Sequence, residues 1–387
     1  MPGLDRLVGA TEIAGLIERE ADAIERAASL TPPVLAALRE HRLFWLLVPE
    51  ELGGEGLGMV DAMKILEEVT RADGSTGWSL MANAMLTGVA SGFLPAEGAR
   101  ELFSGPEPAI TAGMVAPVGR ARRVPGGYQV SGRFQFGSGS THASWMGGGM
   151  VVEDDQGVPE VGRDGSPVVR IVFVPREQVE FLGNWDVMGL AGTASQDYVI
   201  ADAFVPEHRT IDPTRPNPVR AEPVFRLGVF GIGVGGHAPV ALGLATRALQ
   251  EVSTAVAKKS RTGYAATVSA SEMFRREFAR HEAQLQAARL YVHDTHGRAE
   301  RTAEAGGAPS TEQLARMTQA RTWVQEVAND VVRFAHSWAG SAGIRNPSPL
   351  GRCHRDMAVA ATHALIDPMT LVDAAPAIQA GYVRAGT

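Results

Sequence analysis

One cysteine, Cys353, stands in 387 residues. A lone thiol excludes an internal disulfide and a cysteine metal site, and it leads to the expectation of a cytoplasmic protein. Runs of like charge are also missing. The net charge is −7, and no cluster of Lys and Arg is long enough for a nucleic-acid footprint. No uncharged stretch of about 18 apolar residues occurs, so no membrane span is expected. The opening Met1-Pro-Gly-Leu-Asp-Arg-Leu7 lacks a basic region followed by an apolar one, so no secretory leader is expected. A G-x-S-x-G elbow is absent, which removes the usual serine-hydrolase signature. Internal repeats and low-complexity segments are absent too.

What is present reads as an ordinary globular composition, 45% hydrophobic and 20% charged. Ile13, Leu16, Ile17, Ala21 and Ile24 recur at helical spacing over 11–29, with Thr11 as the expected cap. Pro32-Pro33 opens a second helix, 59–71 is a third, and 76–93 is a long apolar one. From 109 to 222 the chain changes to short β-branched runs separated by Gly, Pro and Asp. After Pro223 four helices are expected, at 226–256, 268–304, 310–342 and 350–379, with Ser310 capping the third and Glu312 in its first turn. Helices, then strands, then helices argue for an α+β fold with segregated regions, 1–108, 109–222 and 223–387.

Four motifs bear on chemistry. Gly132-Arg-Phe-Gln-Phe-Gly-Ser-Gly-Ser-Thr-His-Ala-Ser-Trp145 begins as a strand and ends in small polar residues, a platform on which a flat ligand can approach the backbone. Gly231-Ile-Gly-Val-Gly-Gly236 matches G-x-G-x-x-G, but helix rather than a second strand follows, so close helix packing is the expected role. His293 and His296 lie at i, i+3 without a third ligand, and an exposed helical face is expected. Arg352-Cys-His-Arg-Asp356, where Arg355 and Asp356 read as an ion pair, precedes His363, a histidine able to act as a base near neutral pH.

Taken together, these residues resemble the acyl-CoA dehydrogenase fold: an N-terminal helical domain, a middle β-barrel or sandwich, and a C-terminal four-helix bundle. The chain is most similar to the branch of two-component flavin-dependent monooxygenases. Asp73-Gly-Ser-Thr-Gly-Trp78, Ser131 to Ala143, Gly189 to Asp197, Phe204 to His208, and Ser348 to Asp356 with His363 carry the resemblance. It implies reduced FAD or FMN, O2 as co-substrate, a separate flavin reductase and a homotetramer. It also implies that a flavin C4a-hydroperoxide oxygenates a small aromatic or amine substrate. By the same resemblance Phe136 and Ser138 lie against the flavin, with Ser138 near N5. Thr193 and Ser195 approach it, and Arg261, ahead of Tyr264, reaches its diphosphate. Gly340, Ser341 and Gly343 border it. Trp78, Asn83 and His142 line the substrate pocket, and His363 takes a proton from the substrate.

An acyl-CoA dehydrogenase needs a carboxylate to remove the α-proton of a thioester. Ala364 stands where one family version has its Glu, and no acidic residue occurs from Val224 to Gln250. Asp367 is out of register. A dehydrogenase-like flavoenzyme with an unusual base, and a non-catalytic flavin-binding homologue, are the alternatives. Two departures bear on the substrate: the hydroxylases often carry an Arg where this chain has Ala191, and a histidine where it has Asn83.

Overall fold

The computed structural model describes residues 2–215, 218–260 and 266–383. Five helices come first: α1 (Pro2–Ala27), α2 (Pro32–Glu40), α3 (Met59–Ala72), α4 (Gly74–Phe93) and α5 (Ala96–Phe103). Helix α1 starts well before Thr11, because Leu7 and Ala10 extend its core-facing stripe. Thr11 is therefore not a cap: its hydroxyl donates to Leu7 O, one turn back, at 2.9 Å.

Seven strands follow: β1 (Thr111–Val124), β2 (Gly127–Gly137), β3 (Trp145–Glu153), β4 (Val169–Pro175), β5 (Val179–Phe181), β6 (Gln196–Pro206) and β7 (Thr210–Ile211). They form one mixed sheet in the order β5-β6-β2-β1-β3-β4-β7, in which β1 and β3 run parallel. The strands are hydrogen-bonded into one sheet rather than two, and this sheet curls on itself, since β4 and β6 come into contact although three strands lie between them. Its outermost strands, β5 and β7, have three and two residues and do not pair with each other.

The C-terminal region holds α6 (Gly228–Gly235), α7 (His237–Ala257), α8 (Glu272–Glu304), α9 (Thr311–Ala339), α10 (Pro349–Ala360) and α11 (Met369–Ala380). Four continuous helices are not what forms. The first expected helix divides at Gly236. The last divides between Ala360 and Met369, where Pro368 bars Asp367 from helical geometry. Ser310 does cap α9, in a capping box whose partner is Gln313 rather than Glu312.

The Gly-rich motif lies within α6 and its junction with α7, and a short helical turn, Pro223–Leu227, rather than a strand leads into it. A Cβ on Gly235 would lie 2.4 Å from Met59 Cε, and one on Gly236 would lie 2.5 Å from Met81 Cγ. Close packing against α3 and α4 therefore explains these two glycines. By length and composition 223–257 could cross a membrane, but 78% of its most apolar window is buried within the protein.

One large apolar core joins the N-terminal and C-terminal helices, and a smaller one lies on the sheet around Tyr128, Phe134 and Tyr198. The sheet's loops meet the helices at the edge between these cores, where the candidate site forms.

Candidate active site

Helix α4 supplies the floor of the site. Asp73 caps it, accepting from Thr76 N–H and Oγ1–H at 2.8 Å each. The helix buries nearly every side chain, so polar groups such as Trp78 Nε1 and the Asn83 amide find partners inside the protein. Asn83 Nδ2 donates to Thr111 O at 2.9 Å, leaving Oδ1 to accept from His142 Nε2–H at 2.8 Å. This fixes a proton on His142 Nε2, and burial lowers its pKa to about 3, with Arg39 and Arg176 adding to the effect. Asn83 and His142 thus hold each other and the loop after β2. At Gly139, φ is +71° and a Cβ would lie 2.2 Å from Asn83 Oδ1, so the loop needs glycine there.

Trp78 Nε1 donates to Ser138 Oγ at 3.1 Å. Ser138 Oγ lies 2.7 Å from Ser195 Oγ, which lies 2.7 Å from Thr193 Oγ1, which donates to Leu190 O at 2.8 Å. Both ends have a fixed sense, since an indole N–H only donates and a carbonyl only accepts. The Thr193 proton goes to Leu190 O, so Ser195 donates to Thr193, and Ser138 donates to Ser195. Ser138 Oγ then has one unused lone pair and no unused proton.

The backbone is strained around this chain. Phe136, Leu190 and Ala194 have φ of 58°, 53° and 47°, values uncommon outside glycine and gathered here at functional loops. Phe136 is 59% exposed and meets Trp185 edge-on, with ring centroids 6.4 Å apart. A cleft of about 560 Å³ opens beside them, lined among others by Trp185, Met188, Ala191, Glu25, Asn346 and Arg355.

The turn at Leu190 is pinned by Asp356, whose Oδ1 accepts Leu190 N–H at 2.6 Å. Asp356 does not pair with Arg355, which bonds Glu25 instead. Successive helix residues point about 100° apart and cannot face each other. Burial, and next the nearby Asp73, push Asp356 up to about 7. Arg352 bridges from this pair to Asp22 at 2.7 Å, tying α10 to α1.

His363 caps the turn that follows α10, accepting Leu365 N–H on Nδ1 at 3.2 Å. Its ring centroid is 5.8 Å from that of Trp78 and 4.4 Å from that of His237. His237 is buried at the start of α7, and its Nδ1–H donates to Val234 O at 3.2 Å. Burial lowers His363 to about 4; burial, and then His363, lower His237 well below the ordinary range.

Of the expected residues, Trp78, Ser138, Thr193 and Ser195 join in one chain, Asn83 and His142 buttress it, and Phe136 and His363 flank it. Gly340, Ser341 and Gly343 lie at the end of α9; a Cβ on Gly343 would lie 2.7 Å from His336 Cδ2, and no described hydrogen bond ties the three to Ser138. Arg261 and Tyr264 lie outside the described residues. His237, Asp356 and Trp185 were not expected in these roles; a lone histidine in the acid-free stretch from Val224 to Gln250 was the available signal for His237. His296 is corrected: it is buried, and its Nδ1–H donates to Val292 O at 2.8 Å.

Comparison with known proteins adds three kinds of likeness. Family models for the acyl-CoA dehydrogenase N-terminal and C-terminal domains match residues 11–92 and 235–368, together more than half of the chain. The indole-3-acetate monooxygenase of Pseudomonas putida is 29% identical over 351 residues, 90% of this chain and 87% of that one. The oxygenase component of an FADH(2)-dependent resorcinol hydroxylase of Rhizobium sp. is 32% identical over 210 residues, 53% of this chain and 49% of that one. Among solved structures, XiaF from Streptomyces sp., in complex with FADH2 and glycerol, superposes with a TM-score of 0.88 at 21% identity, covering 98% of this chain and 95% of that one. At that identity the last likeness speaks for the fold alone.

Proposed function

The chain belongs to the acyl-CoA dehydrogenase family, and from that premise we propose that it is the oxygenase component of a two-component monooxygenase. It takes reduced FAD or FMN from a separate reductase and uses O2 to hydroxylate a small aromatic substrate. The relatives' names support this reaction class.

The observation that carries the reading is the directed chain from Trp78 to Leu190. The residues fit a flavin: an exposed aromatic face at Phe136, a hydroxyl edge at Ser138, Ser195 and Thr193, and an adjoining cleft in the usual size range for ligand sites. Ser138 Oγ has only a lone pair to offer. A ligand meeting it must bring a proton, as the N5–H of reduced flavin does and the bare N5 of oxidised flavin does not. Bound reduced flavin supplies the activation of dioxygen. The protein's residues do the rest. Ser138 would accept a hydrogen bond from such a proton, Trp78 and Ser195 fix the Ser138 hydroxyl, and the apolar body of α4 would keep water away. Asp356 fixes the turn that carries Thr193 and Ser195.

The acid nearest His363 in sequence, Asp367, is engaged elsewhere. No carboxylate shifts the titration of His237 or His363, and Asp367 Oδ1 accepts Met369 N–H at 2.8 Å as a cap. The test is anaerobic titration with reduced and with oxidised flavin, followed by oxygen uptake with aromatic substrates. Tighter binding of the reduced form and substrate-dependent product support the assignment; equal binding and bleaching of flavin by an acyl-CoA count against it.

The proposal extends to a homotetramer in the cytoplasm. Met273 and Leu290 on α8 and Met369 and Val372 on α11 are 59–70% exposed, apolar surface of the kind subunit contacts cover. Sedimentation as a monomer counts against that assembly.

A further inference from the structure

Asp73 and Asp356 reach one small cavity from two different elements. They are 4% and 2% exposed, and both line a cavity of about 10 Å³ between the start of α4 and α10. Each has one oxygen engaged. Asp73 Oδ2 accepts from Thr76 N–H and Oγ1–H, and Asp356 Oδ1 accepts from Leu190 N–H. The other two oxygens, Asp73 Oδ1 and Asp356 Oδ2, are sealed from solvent and have no hydrogen-bond partner among the described residues. A Cβ on Gly74, the residue after Asp73, would lie 2.6 Å from Asp356 Oδ2, so glycine at 74 lets that oxygen approach the start of α4. A cavity of this size has room for one bridging water at most.

The partners decide which carboxyl holds a proton. Asp73 accepts two hydrogen bonds, and its Oδ1 lies 3.5 Å from Arg352 Nε, an ion pair longer than a hydrogen bond. Asp356 accepts only one. Charge therefore rests on Asp73 and the proton on Asp356. Burial, and then the charge on Asp73, push Asp356 up to about 7. The other charged groups around the two are Arg352 on α10, Arg71 on α3, Arg247 and Glu251 on α7, and Asp22 and Glu25 on α1. The Cys353 thiol at the same cavity stays protonated, since burial pushes it up to about 12.

The two carboxyls also stand at the two ends of the hydroxyl chain. Asp73 caps α4, which carries Trp78, the donor at one end. Asp356 holds Leu190, whose carbonyl is the acceptor at the other. We propose that Asp356 Oδ2–H donates a hydrogen bond across the cavity to Asp73 Oδ1, and that this one-proton pair positions both ends of the chain. With the proton in place, Ser138 is left with only a lone pair to offer. With the proton lost, two buried carboxylates repel, the Leu190 turn shifts, and the chain loses its fixed direction. The consequence for flavin rests on the oxygenase reading; the shared proton does not.

The first test is infrared difference spectroscopy of the full chain, without flavin, as pH is raised. A C=O band of a protonated carboxyl disappears through about pH 7 and is absent from D356N. In D73N the cap remains and the neighbouring charge is gone, so the midpoint falls by about one pH unit or more. No titrating carboxyl band near neutral pH in the unaltered protein overturns the pair without reference to a variant's folding, and an unmoved midpoint in D73N overturns it too. The second test compares the dissociation constants of oxidised and reduced flavin on either side of pH 7. The preference for reduced flavin falls by up to roughly tenfold on the alkaline side, the effect of one neutral hydrogen bond. D356N keeps both hydrogen bonds and cannot ionise, so its preference holds; the flavin's own titration is common to both proteins and cancels. An equal change in the two proteins overturns the positioning role. Failure to bind reduced flavin, with the infrared band present, overturns the oxygenase reading and leaves the shared proton standing.

Discussion

Replacing Ser195 by Ala breaks the hydroxyl chain at its centre. In the native protein Ser195 accepts the Ser138 proton and donates its own to Thr193, both at 2.7 Å and both away from water. The substitution removes two buried hydrogen bonds, each contributing about 0.5–1.5 kcal/mol, so stability falls by about 1–3 kcal/mol. The more telling effect is on Ser138. With its acceptor gone, its proton is free to turn toward a ligand, and an oxidised flavin with a bare N5 becomes an acceptable partner. The native chain therefore favours reduced flavin, and S195A weakens that bias. One neutral hydrogen bond gained by the oxidised form shifts the ratio of the two dissociation constants by roughly tenfold. Parallel titrations of reduced flavin under argon and oxidised flavin in air read the ratio directly. An unchanged ratio in a folded S195A protein refutes the assigned direction of the chain.

Three further outcomes follow from the same geometry. Asp356 titrates at about 7 in the folded protein, above an ordinary carboxyl, so the stability tied to its proton is present below about pH 4 and lost as pH rises through 7. D356N keeps the Oδ1 acceptor for Leu190 N–H, and so should unfold at a higher temperature than the native protein at pH 8 and lose that advantage near pH 4; parallel melting curves check the slope. A Cβ at Gly139 meets Asn83 Oδ1 at 2.2 Å and a φ of +71°, so G139A costs about 2 kcal/mol and weakens flavin binding together with thermal stability, which calorimetry measures. H363A keeps flavin affinity while product formed per oxygen consumed falls by roughly tenfold or more; equal coupling in that variant removes His363 from the reaction.

The helical and strand regions were legible because their periods differ, and the long helices declared themselves by spacing alone. Boundaries were less so. Thr11 looked like a cap because its neighbours repeat at helical spacing, yet the same stripe extends upstream through Leu7. The shape of the sheet depends on pairing between distant strands, which alternation within one strand does not reveal. At the site, Ser138, Thr193 and Ser195 were legible as residue types, but the direction of their hydrogen bonds is set by Trp78 and Leu190, contributed from other parts of the chain. Asp356 next to Arg355 suggested an ion pair, whereas helix geometry sends the two side chains to different partners. The sequence shows His237 as one polar residue in an apolar stretch, and only the fold brings it against His363.

The central claim, a monooxygenase working with reduced flavin, is tested most directly by rapid mixing. Protein loaded with reduced flavin without oxygen is mixed with oxygenated buffer while the flavin spectrum is followed. The account predicts a long-lived species whose spectrum is neither that of reduced nor that of oxidised flavin, shorter-lived in variants that open the chain at Ser138. A single-step return to oxidised flavin, at the rate of free flavin and unaffected by Ser138 or any aromatic substrate, contradicts it.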